Sequence, residues 1–422
     1  MNLFVVDPVD FPHGGAHSEH VSLLVKGLRL NGENSFLIMP YGNKKEGLSE
    51  AKLNCGRFEG VPYCFISSKS KLPKGVGSLV SFSGVMKTAI IIYQRFRKRK
   101  LDAVILGGIV DVLRDSPVIL VCWVFRIPCF YWLVEKASLN EDYKGVAGYL
   151  NYRSQQLSEW LLPKLGTGLI VISENLKTYY RKSLPEEKIL ISPILVPDGN
   201  VEIDQEVFQS ENIKKILDDI KGKRILVYSG SFGEKDGIFT LLEAFKISIK
   251  SYPDSIFIMT GRSSSHVIMK SIEAFISENG MDKNVRLVGF VSSGELSYYN
   301  KIADILFVCR SNSPYANHGF PWKLGEYCLT RKPIIATSVS DIEFYFRDNV
   351  DLFIVKPDDP AAIADKITYI LNHYEIALQT AQNGWETAQR EFGYVRKTRE
   401  VADFLYRNGS KNGGRKGIVP HP

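Results

Sequence analysis

The chain has 422 residues, which at roughly 100–200 residues per domain suggests two or three domains, most simply two of similar size. Its 45% apolar and 23% charged fractions exclude wholesale disorder and fibrous folds. A formal charge of +7 demands no nucleic-acid partner, and none is expected, but it leaves room for an anionic ligand or an anionic membrane surface.

The N-terminal run MNLFVVDPVDF has no basic n-region and no long apolar h-region, so no signal peptide is expected and the location expected is cytoplasmic. Leu3 to Val6 reads as a first strand, followed by the loop His13-Gly14-Gly15. A helix fits His17 to Asn31, because Val21, Leu24, Val25 and Leu28 recur at i, i+3, i+4, i+7. Ser35 to Met39 reads as a second strand. Val85 to Lys100 reads as a helix with a basic end at Arg95, Arg97, Lys98, Arg99 and Lys100. That end is either a solvated surface, with cations at the helix's negative pole, or a docking site on anionic lipid.

Ala103 to Leu106 is a further strand. Ser116 to Val134 is long enough to span a bilayer, but Arg126 and Pro128 interrupt it. The expected structure is helix, loop and buried strand (Pro128 to Leu133). Gly168 to Ile172 follows as a strand, and Asp198 to Gln209 loses its periodicity and reads as a linker.

A second alternation begins at Arg224 to Tyr228. Strands at Ser255 to Thr260, Val285 to Val288, Ile305 to Cys309, Pro333 to Thr337 and Leu352 to Val355 are separated by helices such as Gly237 to Ser251 and Val267 to Gly280. Strands alternating with helices imply parallel βαβ units, hence an α/β fold of two Rossmann-like halves facing a cleft. Such sheets bind ligands at the carboxyl ends of their strands. The Gly-rich, basic stretch Asn408 to Pro422 reads as a disordered tail. Six scattered cysteines, with no CxxC, fit reduced thiols rather than a disulfide framework or zinc site.

Three segments are candidates for chemistry. Gly14-Gly15 lies between a strand and a helix, where a backbone can approach an anion closely or simply turn tightly. His13, His17 and His20 lie nearby, but no carboxylate cluster completes a ligand set, so no metal is expected. YSGSFGEKDG, Tyr228 to Gly237, places Lys235 before a helix, as a phosphate contact or as an exposed lysine after a Gly-rich turn. The third segment runs from His318 through Gly319, Phe320, Pro321, Trp322 and Lys323 to Glu326 and Tyr327. Pro321 suits a first helical turn, with amides of Gly319 and Phe320 converging on its positive end. Lys323 and Glu326 share a face, either as a helical salt bridge or as phosphate and diol ligands.

Together these segments resemble the family 4 retaining glycosyltransferases of the GT-B fold, over nearly the whole chain. HGGAHSEHVSLLVKGLRLNGENSFLI, LIVISENLKTYYRKSLPEEKILISPI, SGSFGEKDGIFTLLEAF and HGFPWKLGEYCLTRKPIIAT are similar, in order, to four segments of that family. The resemblance implies a nucleotide-diphosphate sugar, UDP- or GDP-linked, as co-substrate, no other cofactor, no metal, and a glycan or lipid-linked acceptor. It implies Glu326 at the nucleotide ribose, Lys235 at the diphosphate, Gly319 and Phe320 offering amides, and Gly15 lining the phosphate and acceptor side.

Three positions depart from the pattern. His318 stands for the first Glu of the family's pair, Ser231 for an Arg in the donor loop, and Glu135 for a His near the reacting carbon. The resemblance also implies an acceptor half at 1–198, a donor half at 210–385, and a last helix at 386–407 packing back on the first half, within a segment Asn383 to Tyr406 that carries Trp385, Phe392 and Leu405 as anchors. Peripheral contact with an anionic membrane at the cytoplasmic face is compatible with the basic helix. Two rival readings stay open: a nucleotide-sugar epimerase of the same fold, and a catalytically inactive sugar-binding scaffold subunit.

Overall fold

Runs of apolar, mostly β-branched residues such as Ala103–Leu106 and Ile334–Thr337 are buried on both faces, as expected of central parallel strands. In the computed structural model residues 1–12, 15–41, 55–67, 76–139, 143, 145–199, 210–263 and 265–409 are described. His13 and Gly14, 200–209 of the expected linker, and 410–422 of the expected tail lie outside the described residues.

The first half contains β1 (Asn2–Val6), α1 (Ala16–Leu30), β2 (Asn34–Met39), β3 (Cys55–Phe58), β4 (Val61–Phe65), α2 (Val76–Arg97) and β5 (Ala103–Leu106). It continues through α3 (Ser116–Val124), β6 (Cys129–Leu133), α4 (Gly145–Leu165), β7 (Gly168–Val171), α5 (Glu174–Tyr180) and β8 (Ile189–Ile191). Its sheet order is β3-β4-β2-β1-β5-β6-β7-β8, parallel except for the antiparallel β3–β4 pair. From β4 onward the order grows in one direction, so α2, α3 and α4, which join successive strands, lie on one face. Their inner residues Val85, Ala89, Val118, Cys122 and Leu162 share one core, whereas Val21, Leu24 and Leu28 of α1 belong to the core on the other face.

The second half contains α6 (Glu211–Ile220), β9 (Arg224–Gly230), α7 (Ile238–Ser248), β10 (Ser255–Gly261), α8 (His266–Glu278), β11 (Val285–Gly289) and α9 (Ser293–Ile302). Then come β12 (Ile305–Val308), α10 (Pro314–His318), α11 (Trp322–Cys328), β13 (Ile334–Thr337), α12 (Ile342–Tyr345), β14 (Phe353–Val355) and α13 (Pro360–Asn372). The sheet is parallel throughout, in the order β11-β10-β9-β12-β13-β14.

The chain returns through α14 (Tyr374–Phe392) and α15 (Tyr394–Gly409), two helices broken at Gly393 rather than one. α15 packs on α1, with Val401 and Leu405 in the core shared with Leu24 and Leu28. At the break, Val196 N–H donates to the Phe392 carbonyl (3.0 Å) and Tyr394 N–H to the Val196 carbonyl (3.0 Å). The outgoing and returning crossings therefore run side by side.

Three expectations are corrected. Cys55 and Cys64 face each other across the β3–β4 pair and are disulfide-bonded, so only Cys122, Cys129, Cys309 and Cys328 are free thiols, all buried. The basic helix begins nine residues early, at Val76, and ends at Arg97, so Lys98, Arg99 and Lys100 lie beyond it. Asn408 and Gly409 belong to the last helix. The segment 116–134 is α3 followed by β6, and among the described residues no helix is long and apolar enough to cross a membrane.

Candidate active site

The two sheets point their strand ends at one cleft. From the first half, β1 delivers Asp7 and β6 delivers Glu135. α1 starts at Gly15, whose φ of 77° and ψ of −160° suit glycine almost alone. His17, in the first turn, lies with Nε2 3.0 Å from Asp7 Oδ2. Burial opposes charge on the His17 ring, but the charge and hydrogen bond of Asp7, with help from Glu135, outweigh it and raise its pKa.

From the second half, the loop after β9 carries Ser231, Lys235 and Asp236. The Ser231 hydroxyl (2.7 Å) and Gly233 N–H (3.0 Å) both donate to Asp236 Oδ2. Although burial disfavours its charge, Asp236 is held below the usual carboxylate range by Lys323, Ser231, Arg310 and Gly233. Lys323, on α11, donates to the Tyr228 phenol (3.0 Å) and lies 3.9 Å from Asp236 Oδ1. A Cβ at Gly230 would stand 2.7 Å from that ammonium, so glycine is what lets Lys323 reach the strand end. Burial, offset by Asp236 and reinforced by Arg310, pushes Lys323 down to about 8. Arg310, just after β12, buries its Nε, which donates to no described residue. Lys235 Nζ lies 4.3 Å above the Tyr315 ring, and Tyr315 donates a 2.6 Å hydrogen bond to Glu135 across the cleft.

Glu326 lies on the same helix as Lys323, α11. It lines a cavity of about 20 Å³, room for about one water, with Glu19 and His20 of α1, Trp322 and the crossing Ile194–Pro197. Burial, with Glu19 adding repulsion and Lys323 opposing, pushes its carboxyl up to about 8. His20 is wedged between Trp132 (5.1 Å) and Trp322 (4.3 Å), both edge-on, and neither ring nitrogen bonds a described residue. Burial lowers its pKa well below the usual value, favouring the neutral ring.

His318 ends α10. Its Nδ1 donates to the Pro314 carbonyl (2.8 Å), while its own carbonyl accepts from Ser173 Oγ (2.9 Å) of the first half. The Gly319 carbonyl accepts from Ser340 Oγ. The Phe320 side chain is buried against Tyr345 and Phe392, so only its backbone is offered to the cleft side. Pro321 caps α11 rather than occupying its first turn.

The structure thus brings Ser231, Lys235 and Lys323 to one side of the cleft and Glu135 to the facing side. It separates Lys323 from Glu326: the two share a helix but form no ion pair among the described residues, Lys323 turning to Asp236 instead. Glu135 is bonded to Tyr315 and forms no salt bridge among the described residues. Gly15 starts α1, and Gly14 lies outside the described residues. Sequence reasoning missed Arg310, Asp236, Tyr315 and the Asp7–His17 pair. The strand-end rule could have found Asp7, which directly follows β1, and Arg310, two residues past β12.

Two facing Rossmann-like halves with a cleft at their strand ends define the GT-B architecture. Superposition agrees: Anabaena HepE, solved in complex with UDP and glucose, matches with a TM-score of 0.71 at 14% identity over 96% of this chain and 100% of that chain. The sucrose-phosphate synthase of Thermosynechococcus elongatus matches with a TM-score of 0.69 at 16% identity over 96% of this chain and 98% of that chain. The family model of the group 1 glycosyl transferases matches residues 209–387, essentially the second half.

Among similar proteins is the capsular polysaccharide biosynthesis glycosyltransferase CapM of Staphylococcus aureus, 26% identical over 60% of this chain and 63% of CapM. Another is an uncharacterized glycosyltransferase of Methanocaldococcus jannaschii, 24% identical over 44% of this chain and 55% of that protein. The chain spans less than two thirds of the length of either relative.

Proposed function

We propose that the chain moves a sugar from a nucleoside diphosphate donor, UDP- or GDP-linked, to a hydroxyl of a glycan or lipid-linked acceptor. Transfer proceeds with retention, in assembly of a cell-surface polysaccharide or glycolipid at the cytoplasmic face. The observation that carries this reading is the convergence of Lys235, Arg310 and Lys323 on one side of the cleft, with the Glu135 carboxylate opposite.

In the transfer, the bond between the anomeric carbon and the phosphate oxygen breaks and its electron pair leaves with the diphosphate. The acceptor oxygen bonds the same face of the sugar, and its proton passes to the leaving phosphate or to Glu135. Cations fixed in a water-poor cleft stabilise the charge developing on the diphosphate, and amides of Gly319 and Phe320 add oriented dipoles. These side chains supply the positive charge, so the reading assigns no metal and no cofactor. Glu326 serves the ribose. His318, with Nδ1 satisfied by Pro314, offers Nε2 to the donor sugar where the family has a carboxylate. The bonds from Ser173 to His318 and from Tyr315 to Glu135 support a closed cleft that excludes water, which would otherwise hydrolyse the donor. CapM's capsular role supports the polysaccharide setting.

The test is a thermal-shift screen of UDP- and GDP-sugars, followed by assay of nucleoside diphosphate release. Specific stabilisation, with release abolished in a folded Glu326→Ala variant, is the expected result. Stabilisation without release would favour the inactive scaffold instead, a reading motivated by His318 and Ser231. Isotope exchange at the sugar C2 without acceptor would favour the epimerase. No stabilisation by any nucleotide sugar would overturn the proposal.

A further inference from the structure

The helical layer on the outer face of the first sheet turns large apolar side chains to solvent. On α3, which has no charged residue, Trp123 and Val124 are each 57% exposed and Leu120 53%. On α2, Phe82, Met86 and Ile90 recur four residues apart, and all are exposed. On α4, Val146, Leu150, Leu157 and Trp160 form one stripe, with Val146 80% and Trp160 60% exposed. A water-facing helix ordinarily shows polar residues on that side. Three helices of one layer break the rule together, α2 and α3 in direct contact, and so present apolar surface of the kind that marks an interaction site.

The charge pattern selects the partner. Among α2, α3 and α4 there is one acidic residue, Glu159, and it is buried, accepting from Ser138 N–H and the Tyr179 phenol. Cations border the apolar stripes: Arg95 and Arg97 at the end of α2, Arg126 just past α3, and Lys164 over the Trp160 ring (3.3 Å) on α4. Where α2 meets α3, with Tyr93 and Phe125 4.5 Å apart, an open groove of about 550 Å³ presents Arg97 and Arg99, with Asp102 also in its lining. Apolar and aromatic side chains flanked by cations, with no exposed acid on the three helices, complement an anionic headgroup layer over an acyl interior.

We propose that this face docks flat on an anionic phospholipid bilayer, with Leu120, Trp123 and Val124 entering the boundary between headgroups and acyl chains. The basic end of α2 is then the rim of the contact and α3 its centre. Each of these helices follows a strand and runs back along the sheet, so its first turn lies at the cleft edge. Docking therefore brings the cleft mouth to the bilayer, within reach of a lipid-borne acceptor. Docking itself requires no nucleotide and does not depend on the glycosyl-transfer reading.

The full chain is tested by co-sedimentation with phosphatidylcholine vesicles prepared with and without phosphatidylglycerol. Binding at least tenfold stronger with phosphatidylglycerol is expected, weakening as salt rises. Leu120→Ser/Trp123→Ser should lose at least tenfold in binding with an unchanged melting temperature, and Arg97→Glu/Arg126→Glu should lose the preference for phosphatidylglycerol. Equal partition of the wild type and the Leu120/Trp123 variant would overturn the proposal. So would light scattering that shows a wild-type dimer returned to monomer by the same variant, because the face would then bind a second copy of the chain.

Discussion

The phenol of Tyr315 and the carboxylate of Glu135, 180 residues apart in sequence, share a 2.6 Å hydrogen bond across the cleft. A hydrogen bond to a charged group contributes about 1.5–3 kcal/mol, enough to move a two-state opening equilibrium by tenfold or more. Tyr315→Phe removes the bond with little change of shape. Small-angle scattering of the nucleotide-free variant should give a larger radius of gyration than the wild type. Superimposable curves would mean that other contacts, such as Ser173 to His318, hold the halves together.

Burial holds the Lys323 ammonium down at about 8. A diphosphate would raise it, so binding takes up a proton once the free lysine has lost its own. Nucleoside diphosphate affinity should fall above about pH 8, by at most about tenfold per pH unit. Calorimetry with UDP and GDP across that range would show it, and Lys323→Met should bind more weakly with a flatter profile. An unchanged profile in the variant would remove Lys323 from the anion site.

Glu326 carries the opposite consequence for stability. Its folded pKa of about 8 lies above the ordinary 4.5, so between those values the folded chain holds a proton that the unfolded chain has released. Stability from this group is fully present below about pH 4.5 and is lost as pH rises towards about 8, a contribution on the order of a few kcal/mol. Glu326→Gln should flatten that part of the pH–stability curve in urea denaturation. A parallel curve for the variant would refute the assignment.

Gly15→Ala tests the start of α1. A Cβ there meets nothing within 4 Å, so any loss comes from the backbone, whose φ of 77° an alanine rarely adopts. About 1–3 kcal/mol of destabilisation is expected, read as a lower melting temperature. A neutral substitution would mean that the turn relaxes.

Much of the fold was legible because its central strands are uninterrupted apolar runs. Ala103–Leu106 and Ile305–Val308 have nowhere to lie but between helices. The β3–β4 hairpin was not legible: Cys55–Phe58 is largely exposed and shows no alternation, although the Glu59–Gly60 pair, both at positive φ, marks its turn. The break at Gly393 was hidden inside a helical pattern. In the site, Lys235, Lys323 and Glu326 stood out through local motifs. Tyr315 and Asp236 acquire meaning only from partners distant in space or masked by a turn, which spacing does not reveal. The pairing of Lys323 with Asp236 rather than Glu326 is such a case: the helix places both carboxylates within reach, and burial beside the Tyr228 phenol selects the one at the strand end.

Val196 and Gly393 lie together, one on the chain's way out of the first half and the other on its way back. Two pivots on a common line leave a body one easy swing and resist shear or twist about any other axis. The distance from Lys235 and Tyr315 to Glu135 then depends on a single angle, like the gap at the free edge of a door. A residue inserted in either crossing would misalign the pins, and the far edge would lose its register long before either half lost its shape.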